Sequence, residues 1–338
     1  MPAFKLGNRD RETGAIALPS GSPTDMAAGR GRPIRYRSLI ADSARWNGFE
    51  FRPDDIVIST PPKCGTTWTQ MLCALLVFDG PDFPAPMDEM SPWLDMCNRS
   101  LADVRASLAA QTHRRFIKTH TPLDGLPLQP DVTYLVVGRD PRDVAVSYEH
   151  HAENMDMDHF LALRAAAVGS DDDADIPARV PIPDDPVERF RQFVNDDALG
   201  GRPTLFTVLH HLDTGWQRRH DRNVALFHYV DYKTDLVGEL LRLADVLGIS
   251  CTPERARALV AEASLARMRE RASELAPSAS QQNWKDVRRF FRSGGAGEWR
   301  RRLTDADLAA YDARVAALVP ADLAGWVHGG RLMGTNDT

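Results

Sequence analysis

The sequence predicts an α/β fold of three layers, with a central, mainly parallel sheet and helices on both faces. Two observations carry this. Short apolar runs, Ile56-Val57-Ile58 and Val132-Thr133-Tyr134-Leu135-Val136-Val137, alternate with stretches of helical pattern. Such near-continuous apolarity suits parallel strands covered on both faces. The first run also breaks at Pro61-Pro62, passes through Lys63-Cys64-Gly65-Thr66-Thr67-Trp68 and continues into the apolar helical run Met71 to Phe78. Strand, tight loop and helix in that order make a P-loop-like unit, in which amide groups at a helix start hold an anion.

Residues 1–33 are rich in Gly, Pro, Arg and Asp, lack apolar periodicity and read as a flexible tail. Structure is expected from Tyr36 onward, in one domain spanning 34–330, with 331–338 as a C-terminal tail. After the loop and its helix, Val104 to Ala110 reads as a short helix. Arg115-Phe116-Ile117-Lys118-Thr119-His120 follows as a strand with a polar end. The Val132 to Val137 strand stops at Gly138-Arg139-Asp140-Pro141, and Asp143 to His151 is helical. Residues 169–186, with Asp171-Asp172-Asp173 and four prolines, read as a loop. Leu205 to His220 reads as a helix and Val224 to Tyr229 as a strand. Leu236 to Leu247, Pro253 to Glu262 and Asp305 to Leu318 complete the helices, and Arg288 to Thr304 is basic, aromatic and glycine-rich.

Composition narrows the partners. A formal net charge of −6 over 338 residues argues against nucleic acid. The four cysteines, Cys64, Cys73, Cys97 and Cys251, are too sparse for a disulfide framework. They point to a reducing, cytoplasmic setting. No secretory signal or membrane span is read from the sequence, although peripheral contact with a membrane stays open. No metal cluster is expected: the Asp171 run lacks the turn glycine of a calcium loop.

Strand ends in parallel sheets are where sites form. In nucleoside-triphosphate loops the lysine follows the second glycine, whereas Lys63 precedes Gly65, which disfavours kinases and ATPases. A phosphatase loop needs an arginine six positions after its cysteine, and position 70 is Gln70. His120 ends a strand two residues from Lys118, and an imidazole suits removal of a hydroxyl proton near pH 7.

Pro62-Lys63-Cys64-Gly65-Thr66-Thr67-Trp68 resembles the PKSGTTW signature of the cytosolic sulfotransferases, which use 3′-phosphoadenosine 5′-phosphosulfate (PAPS), with Cys64 where serine is usual. Lys118-Thr119-His120 resembles the family's catalytic K-T-H. Arg139-Asp140-Pro141-Arg142-Asp143-Val144-Ala145-Val146-Ser147 resembles its RNPKDVAVS stretch. Phe291-Arg292-Ser293-Gly294, in the segment ending at Trp299, resembles its RKGxxGDW segment, with Ser293 in place of lysine and Glu298 in place of aspartate.

The resemblance implies His120 as base, with Lys63 and Lys118 stabilising charge. Lys63, Cys64, Gly65, Thr66, Thr67 and Trp68 would hold the 5′-phosphosulfate. Arg139, Ser147, Phe291, Arg292, Ser293 and Gly294 would hold the 3′-phosphate side, and Tyr229 and Leu265 the adenine. Arg142 and Asp143 read as surface residues at a helix start. The product would be 3′-phosphoadenosine 5′-phosphate (PAP), and no metal is required.

Further stretches, among them Tyr36-Arg37-Ser38-Leu39, Ser91-Pro92-Trp93-Leu94-Asp95 and Thr121-Pro122-Leu123-Asp124-Gly125, resemble the family's mycobacterial glycolipid branch. They imply a lipid-linked sugar hydroxyl as acceptor. A phenol or simple alcohol is the alternative acceptor. A nucleotide-dependent kinase or a non-catalytic PAPS-binding protein are the alternatives outside the chemistry. The acceptor pocket is expected between the Pro81 to Trp93 loop and residues 152–205. The family's dimer motif is incomplete at Arg300 to Ala309, which leaves the oligomeric state open.

Overall fold

Four parallel strands form the sheet, in the order β2-β1-β3-β4: β1 (Ile56–Ser59), β2 (Phe116–Thr119), β3 (Thr133–Gly138) and β4 (Val224–His228). The computed structural model describes residues 32–169, 181–198, 202–292 and 294–331. The expected tails and the Asp171 run lie almost entirely outside those residues. The described residues from Ile34 onward cluster as one unit.

All four strands fall where the sequence placed them. Alternate side chains feed two cores. Val57, Ile117, Tyr134 and Val136 face one side, with Val144, Val208, Leu212 and Leu323. Ile56, Ile58, Phe116, Leu135 and Val137 face the other, with Leu72, Leu75, Leu240 and Leu259. Each such side chain contributes about 1.5–3 kcal/mol on burial. That burial on both faces is why the strands read as unbroken apolar runs.

The helices that frame the site are α1 (Thr66–Val77), α2 (Leu101–Ala110), α3 (Pro141–Asn154), α4 (Met157–Val168), α5 (Pro186–Asn195), α6 (Leu205–Trp216), α7 (Tyr229–Thr234), α8 (Leu236–Val246), α9 (Pro253–Glu262), α10 (Leu265–Glu270), α11 (Asp305–Leu318) and α12 (Ala321–Gly329). Their starts follow sequence rules. Asp140 caps α3 with Pro141 in its first turn, Asp185 caps α5 ahead of Pro186, and Thr304 with Asp307 forms a capping box on α11.

Three points depart from expectation. Helices α4 and α5 occupy much of 152–205. Helix α6 stops at Trp216, where Arg218 N–H turns back to the Gly215 carbonyl at 3.0 Å. Helix α12 follows α11 and packs Trp326 against Gly138, where a Cβ would lie 2.7 Å from the indole.

The chain leaves β1 for β2 on one side and returns to β3 on the other. The carboxyl end of β1 is therefore the topological switch point of the sheet, the place where such sheets open a crevice. Lys63, His120, Arg139 and Tyr229 follow the carboxyl ends of β1, β2, β3 and β4.

Candidate active site

The loop after β1 is wound tightly. Lys63 has a positive φ of 69° and Gly65 one of 103°. Gly65 stands at the N-cap of α1, and no side chain caps that helix. Its first amide groups are thus directed donors in need of an acceptor. A Cβ on Gly65 would meet the Tyr229 ring at 3.1 Å, so both its φ and its neighbour call for glycine. Thr60 and Thr66 share a hydroxyl hydrogen bond of 2.5 Å that closes the turn.

Four cations gather around this loop. Burial, with the charges of Arg139, Lys118 and Arg292, brings Lys63 down to about 7. Burial brings Lys118 down to about 8, against the opposing pull of Asp95 and Asp88, and its ammonium lies 4.4 Å from the Trp93 ring centre. Arg139 donates to the Lys63 carbonyl at 2.9 Å and to the Gly295 carbonyl at 3.0 Å, and lies 4.3 Å from the centre of the Tyr229 ring. Its Nε is buried without a hydrogen-bond partner. A buried guanidinium with a spare donor, beside two lysines whose charged forms burial disfavours, is an environment short of an anion.

His120 faces the same space. Its Nδ1 lies 2.7 Å from the Thr60 carbonyl. A carbonyl only accepts, so Nδ1 carries the hydrogen and Nε2 keeps its lone pair. Burial and the nearby Lys118 charge hold the ring well below the usual histidine range, so it is neutral at pH 7. Buried Asp95 accepts hydrogen bonds from Thr119 at 2.7 Å and Thr121 at 2.5 Å, which fixes the backbone on either side of His120.

The segment 294–299 closes over the loop. Tyr229 and Lys233 both donate to the Gly294 carbonyl, at 3.2 and 3.0 Å. Asp143 accepts from the Gly297 amide at 2.7 Å, and Arg142 stacks on Trp299 with its guanidinium 4.0 Å from the ring centre. Asp143 is buried, and it and Arg142 pin this segment rather than sit as free surface residues. Arg292 pairs with Glu298 at 2.7 Å. Against the opposing pull of burial, Arg292 and Arg302 bring Glu298 down to about 2.

These groups line one cavity of about 980 Å³, shared by Lys63, Gly65, Thr66, Thr67, Trp68, Lys118, His120, Arg139, Ser147, Tyr229, Leu265, Phe291, Arg292 and Gly294. Two expected contacts differ. Ser293 lies outside the described residues. Cys64 is fully buried and packs in the core with the Val57 side of the sheet, where burial raises its thiol to about 12. Only its backbone is left for the loop.

The same cavity is lined by Leu39, Ile40, Trp93, Met96, Met155, Met157, Ile182 and Trp284, with Tyr36, Thr204, Thr207 and His210 as further polar groups. Of the Pro81 to Trp93 loop only Trp93 takes part, and the 36–41 segment replaces it as a wall. His151 and His211 also line the cavity, and nothing in their local sequence pointed there.

Residues 53–322 match the family described as the sulfotransferase domain. Over 310 residues the chain is 49% identical to a glycolipid sulfotransferase of Mycobacterium bovis (strain BCG / Pasteur 1173P2), covering 88% of this chain and 95% of that protein. Its fold is like that of retinol dehydratase, solved with androsterone and the inactive cofactor PAP (TM-score 0.60, 24% identity, 82% and 84% of the two chains). It is also like mouse sulfotransferase SULT7A1 solved with PAP (TM-score 0.61, 19% identity, 85% and 90% of the two chains).

Proposed function

This chain belongs to the sulfotransferase family and is a sulfotransferase; on that premise we propose that it moves the sulfuryl group of PAPS to a hydroxyl on a glycolipid. One observation supports this most: Lys63, Lys118, Arg139 and Arg292 and the uncapped start of α1 meet in a cavity that also presents the lone pair of a neutral His120.

In this reading the α1 amides, Thr66 and Thr67 hold the 5′ phosphosulfate. Arg139, with Ser147 and Arg292, holds the 3′-phosphate, and Tyr229 and Leu265 flank the base. The acceptor oxygen attacks sulfur in line as the bond from sulfur to the phosphate oxygen breaks. His120 Nε2 takes the hydroxyl proton, and Lys63 and Lys118 stabilise the charge that arrives on the leaving phosphate. Positioning and electrostatics supply most of the rate, as in phosphoryl transfer.

The acceptor half supports the glycolipid. It joins an apolar wall of Leu39, Ile40, Met155 and Met157 to polar Tyr36, Thr204 and His210, a pairing that suits an alkyl chain and a sugar. The relative that is 49% identical is named for the same acceptor class. Among the described residues no helix is long and apolar enough to cross a membrane, and all four cysteines are free thiols. The thiols support a cytoplasmic enzyme that meets its lipid at a membrane surface.

Sulfate-labelled PAPS, incubated with the protein and a lipid extract, is expected to give a labelled glycolipid identifiable by mass spectrometry. Label on phenols or simple alcohols alone would overturn the acceptor. Binding of ATP with magnesium but not of PAP would overturn the donor.

The lysines give a signed pH dependence. A bound polyanion favours their charged forms and raises both from about 7 and about 8. The complex then holds more protons than the free protein, so PAP affinity falls as pH rises above 7. Calorimetry at pH 8 in buffers of different ionisation heat is expected to show net uptake of about one proton. At that pH the phosphates of PAP are already ionised and release none. Zero uptake, or release, would contradict the assignment of these lysines to the anion.

A further inference from the structure

We propose that His151 is a positioning residue for sulfuryl transfer, holding the Lys63 ammonium in place beside the anion loop. The inference rests on the reading that Lys63 contacts the donor.

Lys63 Nζ lies 3.3 Å from His151 Nδ1. In its charged form, which a bound anion favours, Lys63 only donates, so Nδ1 is then the acceptor and the ring hydrogen sits on Nε2. His151 is one helical turn beyond Ser147 on α3 and lines the cavity. Its ring is caged: Trp284 meets it edge-on at 5.0 Å, and Tyr148 and Phe290 lie at 5.8 and 6.1 Å. Phe290 also covers the lysine, its ring centre 4.8 Å from Nζ. The histidine is therefore rigid where the lysine, with four rotatable bonds, is not.

Among the described residues no carboxylate pairs with Lys63, so a neutral imidazole is its polar anchor. Burial and the charges of Lys63 and Lys118 hold His151 well below the usual histidine range, which keeps that acceptor available at pH 7. A carboxylate in its place would neutralise the lysine and repel the donor. A neutral ring orients the cation and leaves its charge for the transferring group. Pre-set geometry of this kind is worth large factors in rate, because a displacement of an ångström is felt in the transition state.

The test uses His151→Phe, which keeps an aromatic ring in the cage but removes the acceptor, and His151→Asn, whose amide oxygen restores one. His151→Phe is expected to lower kcat with PAPS about tenfold or more at unchanged thermal midpoint, and His151→Asn to recover most of it. In a Lys63→Met background, His151→Phe is expected to lower PAP affinity no further, because the histidine acts through the lysine. Wild-type kcat in His151→Phe would overturn the proposal. So would equal losses in the Phe and Asn variants, or additive losses of affinity in the double variant. Should His151→Phe not fold, the Asn and Ala variants decide together: near wild-type kcat in His151→Asn with a clear loss in His151→Ala supports the anchor, and equal kcat in the two refutes it. Lys63→Met alone with wild-type PAP affinity would instead overturn the parent reading of Lys63.

Discussion

Replacing His120 with alanine is expected to lower sulfate transfer ~10²–10⁴-fold while PAP binding stays within about threefold of wild type, the range a general base supplies. The asymmetry follows from where the ring sits. Its Nδ1 is committed to the Thr60 carbonyl, so the group that faces the cavity is a bare Nε2. A lone pair contributes nothing to holding an anion. It matters when an acceptor hydroxyl loses its proton. Burial and Lys118 also keep the ring neutral, so the base is available throughout the neutral range and no loss of rate from its protonation is expected near pH 6. Transfer of labelled sulfate and calorimetry with PAP, run on the same preparation, separate the two effects. Unchanged turnover would remove His120 from the reaction. Loss of PAP binding in step with turnover would make it a structural residue of the β1 and β2 ends, where it packs edge-on against Trp93 at 4.6 Å.

The sheet, and the places at its edge where polar side chains gather, were legible in the sequence for one physical reason. Strands buried on both faces are apolar throughout, so the first polar residue after each run marks a strand end, and in parallel sheets those ends make the site. Lys63, His120, Arg139 and Tyr229 lie just past those ends, whereas their roles, and Ser147, Leu265, Phe291 and Arg292, come from the family resemblance. His151 was legible in neither way, because its partner is 88 positions away and its own helix reads as ordinary amphipathic sequence. Asp143 was expected at the surface since a carboxylate in a first helical turn is commonplace. Only the returning segment 294–299, which covers it, explains its burial. Tyr36 to Leu39 carries a likeness to the glycolipid branch but does not read as a wall, because an acceptor pocket lined by apolar side chains looks like any core. Cys64 was the odd letter in the loop. Its side chain turns into the core, where a thiol behaves as a small hydrophobe, so the replacement of a hydroxyl there removes no group that faces the cavity.

Arg139→Met is expected to weaken PAP binding about 100-fold, the order of magnitude for removing one partner of a buried charge contact. This guanidinium works at three places. It holds the Lys63 carbonyl, and with it the loop at its positive-φ turn. It holds the Gly295 carbonyl, and with it the segment that closes the cavity. Its Nε remains unpartnered and buried, the group with most to gain from a phosphate oxygen. Lysine is not expected to rescue, because a single ammonium cannot span two carbonyls and an anion in one plane. Part of the loss would come from the two carbonyls left unpaired, so affinity for PAP alone does not isolate the phosphate contact. Comparing PAP with adenosine 5′-phosphate does. In the wild type, removal of the 3′-phosphate is expected to cost most of the affinity, whereas in Arg139→Met the two nucleotides should bind almost equally. A full 3′-phosphate preference surviving in the variant would move that contact elsewhere, to Ser147 or Arg292. It would also leave Arg139 as a tie between two loops.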